Sequence, residues 1–276
     1  MAFVFRRSYR GPVRAVILDW AGTTVDYGSC APAMVFIEVF KRQGIEITLE
    51  QAREPMGTHK RVHIEKISKM PPVAERWQQV HGRSCTDADI ERLYQEFVPL
   101  QLACLAAYAD LVPGTLEAVR DFRRRGLKVG TTTGYNGEML KVLLSEAKKR
   151  GFEPDASVCA TDVPAGRPAP WMALRCAMEM QVYPLESCVK IGDTVPDIDE
   201  GLNAGMWTIG VVMSGNEIGL TPRQITELPA SVLHARRAAG YDRLHRAGAH
   251  YVVDSIAEVP PILEQIDRRL AQGEKP

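Results

Sequence analysis

Neither sign of charge predominates in this chain of 276 residues: 34 Lys and Arg stand against 34 Asp and Glu. A nucleic-acid binder carries a basic excess, so no nucleic-acid partner is expected. No stretch approaches the roughly 20 apolar residues that cross a bilayer, and no membrane partner is expected either. The six cysteines, at 30, 85, 104, 159, 176 and 188, include no CxxC pair. That argues against a zinc knuckle and a thioredoxin-like redox site. The apolar run 2–5 is too short for a signal-peptide core, and its arginines follow it instead of preceding it. The expectation is a cytoplasmic protein whose thiols stay free and fill apolar space.

What is present suits a soluble globular protein. Hydrophobic residues make up 45% and charged residues 25%, which argues against a disordered chain. Six short runs read as strands: 13–19 (VRAVILD), 127–133 (LKVGTTT), 156–162 (ASVCATD), 187–193 (SCVKIGD), 207–213 (WTIGVVM) and 250–254 (HYVVD). Most are continuously apolar, as strands buried on both faces of a parallel sheet are. Helical patterns at 113–125, 136–150, 171–181 and 197–204 alternate with them. Asn136 is placed to cap the second of these, with Gly151 just past its end. The alternation implies an α/β fold with a doubly wound parallel sheet.

One interval breaks the rhythm. About 100 residues separate the first two strands, too many for a structureless loop. The interval reads as helices at 32–43, 49–52, 60–69, 73–80 and 87–107. The domain reading is therefore a catalytic core of 1–28 plus 110–276, interrupted by an inserted α-helical cap domain, 29–109. Hinges are expected near 27–31 and 109–113. A smaller insertion, 214–248, separates the last two strands.

Ligands of an open parallel sheet bind at the carboxyl ends of its strands. Here those ends read Asp19-Trp20-Ala21-Gly22-Thr23, Thr133-Gly134 and Gly192-Asp193-Thr194, with Asp197 a turn later. Pro164-Ala165-Gly166-Arg167-Pro168 follows the third strand. Two carboxylates plus a phosphate oxygen make a good shell for Mg²⁺. An aspartate at such a rim can also be a nucleophile that takes up a phosphoryl group.

These four segments, in this order, resemble the motifs of the haloacid dehalogenase superfamily. Asp19 matches its nucleophile, Thr133 its hydroxyl, Arg167 its basic residue, and Gly192 to Asp197 its acidic motif. The resemblance covers 13–30 and 110–213. One position departs from the phosphatases of that superfamily: Ala21 stands where they carry an acid that protonates the leaving group and later activates water. Without that acid, either the protein is inactive or its leaving group needs no proton from that site.

The insert supplies a candidate. It contains Glu54-Pro55-Met56-Gly57-Thr58-His59-Lys60-Arg61-Val62-His63. A lysine can condense with an aldehyde, and the protonated imine then accepts electrons. Together with DWAGT, TTGY, DVPAGRPAPWM and the segment 215–221, the insert resembles the phosphonatase family, which hydrolyses phosphonoacetaldehyde. The resemblance implies a Lys60 Schiff base and attack by Asp19 on phosphorus. It implies Mg²⁺ held by Asp19, the Ala21 carbonyl and Asp193, with Asp197 orienting that shell. Thr133, Gly134 and Arg167 would bind the phosphonate, while Met56 and His63 line the lysine's pocket, His63 as a candidate proton relay. A homodimer along a cap helix is implied as well.

Other readings stay open on the sequence. Lys60 by periodicity alone is a solvated lysine, with Arg61 and two histidines as suggestive neighbours. His59 and His63, four apart, invite a zinc site, but a zinc-protease motif needs Glu where Lys60 stands. Tyr135 either touches ligand or packs. Met34, Phe36 and Phe40 read as helix-packing residues, and the arginines at 123–125 as a solvated helix end. A phosphatase or phosphomutase of the same superfamily is the alternative activity, and an inactive phospho-ligand scaffold the alternative class.

Overall fold

A computed structural model describes residues 8–276; the apolar run 2–5 lies outside them. Strands β1 (Ala15–Leu18), β2 (Lys128–Thr133), β3 (Ala156–Cys159), β4 (Cys188–Gly192), β5 (Trp207–Val211) and β6 (Tyr251–Val253) form one sheet. Their order is β3-β2-β1-β4-β5-β6, and every pairing is parallel. The six strands fall inside the six runs read from the sequence. All four residues of β1 are buried because both faces of the sheet are covered. Val16 and Leu18 pack with Val129, Ile191 and Phe122, whereas Ala15 and Ile17 pack with Val158, Met172 and Cys176.

Five α-helices fill the insertion between residues 29 and 109: α1 (Cys30–Arg42), α2 (Leu49–Arg53), α3 (Lys60–Lys69), α4 (Pro71–His81) and α5 (Asp87–Leu105). Capping boxes start two of them, Thr48 with Gln51 for α2 and Thr86 with Asp89 for α5. The two chain crossings that bound this insertion run side by side. Asp26 N–H donates to the Asp110 carbonyl at 3.2 Å, and Val112 N–H donates to the Thr24 carbonyl at 2.9 Å.

Around the sheet lie α6 (Thr115–Arg124), α7 (Gly137–Lys149), α8 (Trp171–Glu179), α9 (Val195–Asn203), α10 (Pro222–Glu227), α11 (Ala230–Arg246) and α12 (Val259–Ala271). Asn136 does cap α7, accepting from Met139 N–H at 3.0 Å. Among the described residues no helix is long and apolar enough to cross a membrane.

Some details differ from the sequence reading. β3 stops at Cys159, because Asp162 turns back to accept from Cys159 N–H at 2.8 Å and winds residues 160–162 into a 3₁₀ turn. Phe36 and Phe40 are buried as expected, but Met34 is 55% exposed, since it lies on the other face of α1. Cys159, Cys176 and Cys188 are buried, while Cys30, Cys85 and Cys104 are half-exposed. The arginines at 123–125 end α6 but are not merely solvated: they pair with Asp155, Asp121 and Glu264. The 214–248 insertion holds α10 and α11, and α12 has no counterpart in the sequence reading.

Candidate active site

The strand order reverses at β1, which has β2 on one side and β4 on the other. A crevice opens at the carboxyl ends of strands at such a point. Asp19 directly follows β1, Asp193 directly follows β4, and Thr133 ends β2. Backbone geometry alone therefore brings these three together.

Asp19, Ala21, Met56, Lys60, Thr133, Gly134, Tyr135 and Arg167 line one cavity of about 20 Å³. That is room for about one water molecule. The inserted helices form its roof. Residue 134 must be small there: a Cβ on Gly134 would sit 2.5 Å from the Thr58 carbonyl oxygen and 3.0 Å from that of Gly57.

Lys60 opens α3 and is 5% exposed. A cation at a helix N-terminus opposes the macrodipole, so this placement costs stability. Its Nζ lies 4.8 Å from the centroid of the Tyr135 ring and 5.7 Å from that of Phe36. Burial pushes its ammonium down to about 8; the Asp19 carboxylate pulls it back up and Arg167 pushes it further down. The assisting cation is thus Arg167, far away in sequence. Arg61, expected to help, turns outward to Asp87 and Glu91.

His63 does not line the cavity. Its ring stacks on Phe36 at 3.8 Å and its Nε2 meets the Ala52 carbonyl at 2.8 Å. Burial, and then Lys60, hold it well below the usual imidazole range, so the ring is neutral. Its buried Nδ1 finds no partner among the described residues. Tyr135 both packs and faces the cavity, and burial keeps its hydroxyl protonated.

A buried ion network floors the cavity. Arg167 pairs with Asp19, Nη2 to Oδ1 at 2.7 Å, and with Asp197, Nη1 to Oδ1 at 3.0 Å, while its Nε donates to Glu200 Oε2 at 2.8 Å and its Nη2 to the Thr132 carbonyl at 2.9 Å. Lys190 donates to Asp197 Oδ1 at 2.7 Å. Thr132 Oγ donates to Glu200 Oε2 at 3.0 Å. The sequence reading missed Lys190 and Glu200. The only signal was negative: a lysine in a buried strand and a glutamate on the inward face of α9 are out of place without partners.

Oxygens of Asp19, Asp193 and Asp197 all lie within 4.8 Å of one another. Burial raises Asp19 and lifts Asp193 well above the carboxylate range, and repulsion among the three carboxylates adds to both shifts. Asp197 differs: against the effect of burial, Arg167 and Lys190 hold it below that range. Four buried carboxylates, Glu200 included, face Arg167, Lys190 and Lys60, so a hard divalent cation fits the charge and the donor type. Asp19 and Asp193 are the carboxylates with capacity to spare. Among the described residues, the Asp193 side chain accepts from Thr23 Oγ at 3.3 Å and Asn216 N–H at 2.8 Å.

A profile of haloacid dehalogenase-like hydrolases matches residues 13–205. A phosphonoacetaldehyde hydrolase of Syntrophobacter fumaroxidans is 50% identical over 274 residues, 99% of each chain. One of Hahella chejuensis is 49% identical over 276 residues, 100% of this chain and 94% of that one. The crystal structure of a phosphonoacetaldehyde hydrolase like protein from Oleispira antarctica superposes with a TM-score of 0.97 at 44% identity, covering 100% of both chains. A β-phosphoglucomutase of Clostridium difficile shares the fold, with a TM-score of 0.69 at 19% identity over 94% of this chain and 99% of that one. The chain belongs to the haloacid dehalogenase-like hydrolases and, within them, to the phosphonoacetaldehyde hydrolase family.

Proposed function

We propose that this hydrolase cleaves the carbon–phosphorus bond of phosphonoacetaldehyde, giving acetaldehyde and phosphate. One observation carries the reading. A buried lysine from the inserted helices shares a cavity with the Asp19 carboxylate, and Ala21, not an acid, lines that same cavity.

The Lys60 amine adds to the aldehyde carbon and expels water, leaving a protonated imine. An Asp19 oxygen attacks phosphorus in line. The carbon–phosphorus bond breaks, and its electron pair moves into the imine to give an enamine on Lys60. No proton is needed on the leaving atom at that instant, which is why Ala21 is tolerable. Protonation at carbon and hydrolysis of the imine release acetaldehyde and restore the amine. A second water cleaves the phosphoryl–Asp19 bond to release phosphate. Arg167, Thr133 and Gly134 are the groups that would meet the phosphonate oxygens, where fixed donors stabilise developing charge.

Mg²⁺ would be held by Asp19, the Ala21 carbonyl and Asp193, and when bound it neutralises charge on the phosphoryl oxygens. Asp197, engaged by Lys190 and Arg167, acts as a positioning group for that shell. Residues 29–109 act as a cap. A cavity of about 20 Å³ admits no substrate, so the cap lifts for entry and closes to exclude water. Met56 and Tyr135 would then enclose the aldehyde end. His63 supports the lysine's pocket through Phe36 and is not on its wall.

A cytoplasmic location accords with six cysteines free of disulfides. A homodimer accords with an apolar groove on the inserted helices, lined by Met34, Val35, Leu100 and Tyr108.

The test is coupled detection of acetaldehyde and phosphate from purified protein, with and without EDTA. Borohydride added with substrate should leave a stable adduct on Lys60. Brisk hydrolysis of phosphate monoesters, with no acetaldehyde from the phosphonate, would replace this reading with the phosphatase one.

A further inference from the structure

Arg53 ends α2, just before the loop that carries Met56. Its guanidinium leaves the inserted helices and meets atoms at two places beyond them. Nη1 donates to the Gly28 carbonyl at 2.9 Å and to Asn216 Oδ1 at 3.0 Å. Nη2 donates to the Gly219 carbonyl at 2.9 Å. One side chain thus joins α2 to the first chain crossing and to the loop 214–220.

That loop also aims Asp193. The backbone N–H of Asn216 donates to Asp193 Oδ2 at 2.8 Å, and Ser214 Oγ donates to the Gly22 carbonyl at 2.8 Å. Gly28 N–H donates to the Ser214 carbonyl at 2.7 Å. Asn216 therefore contacts Arg53 through its side chain and Asp193 through its backbone. Gly219 permits the approach: its φ is +64°, and a Cβ there would sit 2.8 Å from the guanidinium carbon of Arg53. A guanidinium suits this task because its planar fork sends donors in several fixed directions, which an ammonium cannot do.

We propose that Arg53 is a positioning residue: as the cap shuts, its guanidinium seats loop 214–220 and, through Asn216, fixes the Asp193 carboxylate. The proposal rests on the reading of 29–109 as a closing cap. It explains how a residue that touches no reacting atom can link closure above Asp19 to the opposite wall of the site. Cap opening withdraws Arg53 from Asn216, and the Asp193 side of the site relaxes until the next closure.

The experiment uses Arg53→Met, Arg53→Lys and Asn216→Ala, singly, and the Arg53→Met/Asn216→Ala double variant. Three quantities are read on the full chain: the Mg²⁺ concentration that half-saturates the thermal shift without substrate, kcat with phosphonoacetaldehyde, and borohydride trapping on Lys60. Substitution of groups that orient metal ligands typically costs about 10–100-fold in affinity or activity. Each single variant should raise the half-saturating Mg²⁺ about tenfold and lower kcat by at least as much, with trapping retained. Arg53→Lys should not rescue, and the double variant should be no worse than the worse single one, because the two residues act through one contact. Should Arg53→Met fail to fold, Asn216→Ala decides alone, since it keeps the backbone N–H on Asp193. Wild-type half-saturation in Asn216→Ala, or additive losses in the double variant, overturns the proposal. Absence of trapping in the unsubstituted protein would instead overturn the Schiff-base reading, so the two failures are distinguishable.

Discussion

The Lys60 ammonium nitrogen stands 4.8 Å from the centre of the Tyr135 ring, and both residues are buried. The ring faces a charged amine that has almost no water. The environment favours the neutral amine, which is the form that attacks an aldehyde.

The first prediction is a pH profile. With its ammonium near 8, about one Lys60 in ten is a free amine at pH 7, some 300-fold more than for a lysine at its ordinary value. The kcat/KM for phosphonoacetaldehyde should rise with pH along a limb centred near 8 and then level off. A limb centred near 10 would contradict the neutral-amine argument.

The same burial costs stability. For a lysine whose value is lower folded than unfolded, the cost is fully present below pH 8. It is relieved between 8 and 10.5, where the folded protein has released the proton and the unfolded chain still holds it. Lys60→Met should therefore abolish turnover yet stabilise the fold by up to about 3 kcal/mol at pH 7. The advantage should shrink as pH approaches 10.5. Thermal unfolding of both proteins at pH 7 and pH 10 checks this.

Glu200 offers a third test. Its Oε2 accepts from Arg167 and Thr132, and its buried Oε1 has no partner among the described residues. Glu200→Ala leaves Arg167 and Lys190 short of a counter-charge and should cost about 3–5 kcal/mol. Glu200→Gln keeps the shape and should cost less. Activity should fall in both, because Arg167 loses the contact that turns its other face toward Asp19.

Magnesium should raise the melting temperature by relieving repulsion between Asp19 and Asp193. At a hundred times its dissociation constant the gain is about 2.7 kcal/mol. Asp193→Asn should remove that response and, without metal, should melt higher than the parent, since one buried charge is gone. An unchanged magnesium response in Asp193→Asn would move the site elsewhere.

Met34 is 55% exposed beside Val35, Leu100 and Tyr108. If this face seals a homodimer, Met34→Glu should convert a dimer to a monomer in sedimentation, with the helices intact by circular dichroism. Identical masses would exclude this face as the seam.

Much of the architecture was legible from residues 13–19, 187–193 and their kin, because a strand covered on both faces has no reason to alternate. The inserted helices were legible by exclusion, since no compact domain strings out a loop of that length. Met34 was misjudged because helical spacing marks an apolar residue without saying which neighbour covers it; α5 packs on the Phe36 face instead. His63 was misjudged for a similar reason. Three residues along α3 puts it near Lys60 in sequence, but its ring turns to Phe36 and the Ala52 carbonyl.

The order of residues along the chain determined the sheet, the place of the insertion and the carboxylates at the strand ends, because those follow from local pattern and from how chains cross parallel sheets. Only the tertiary structure decided that Lys60 is buried, that Arg167 rather than Arg61 sits near it, and that Lys190 and Glu200 complete the floor. Those facts depend on segments far apart in sequence meeting in a space that excludes water, and no local pattern records which charges will be stranded there together.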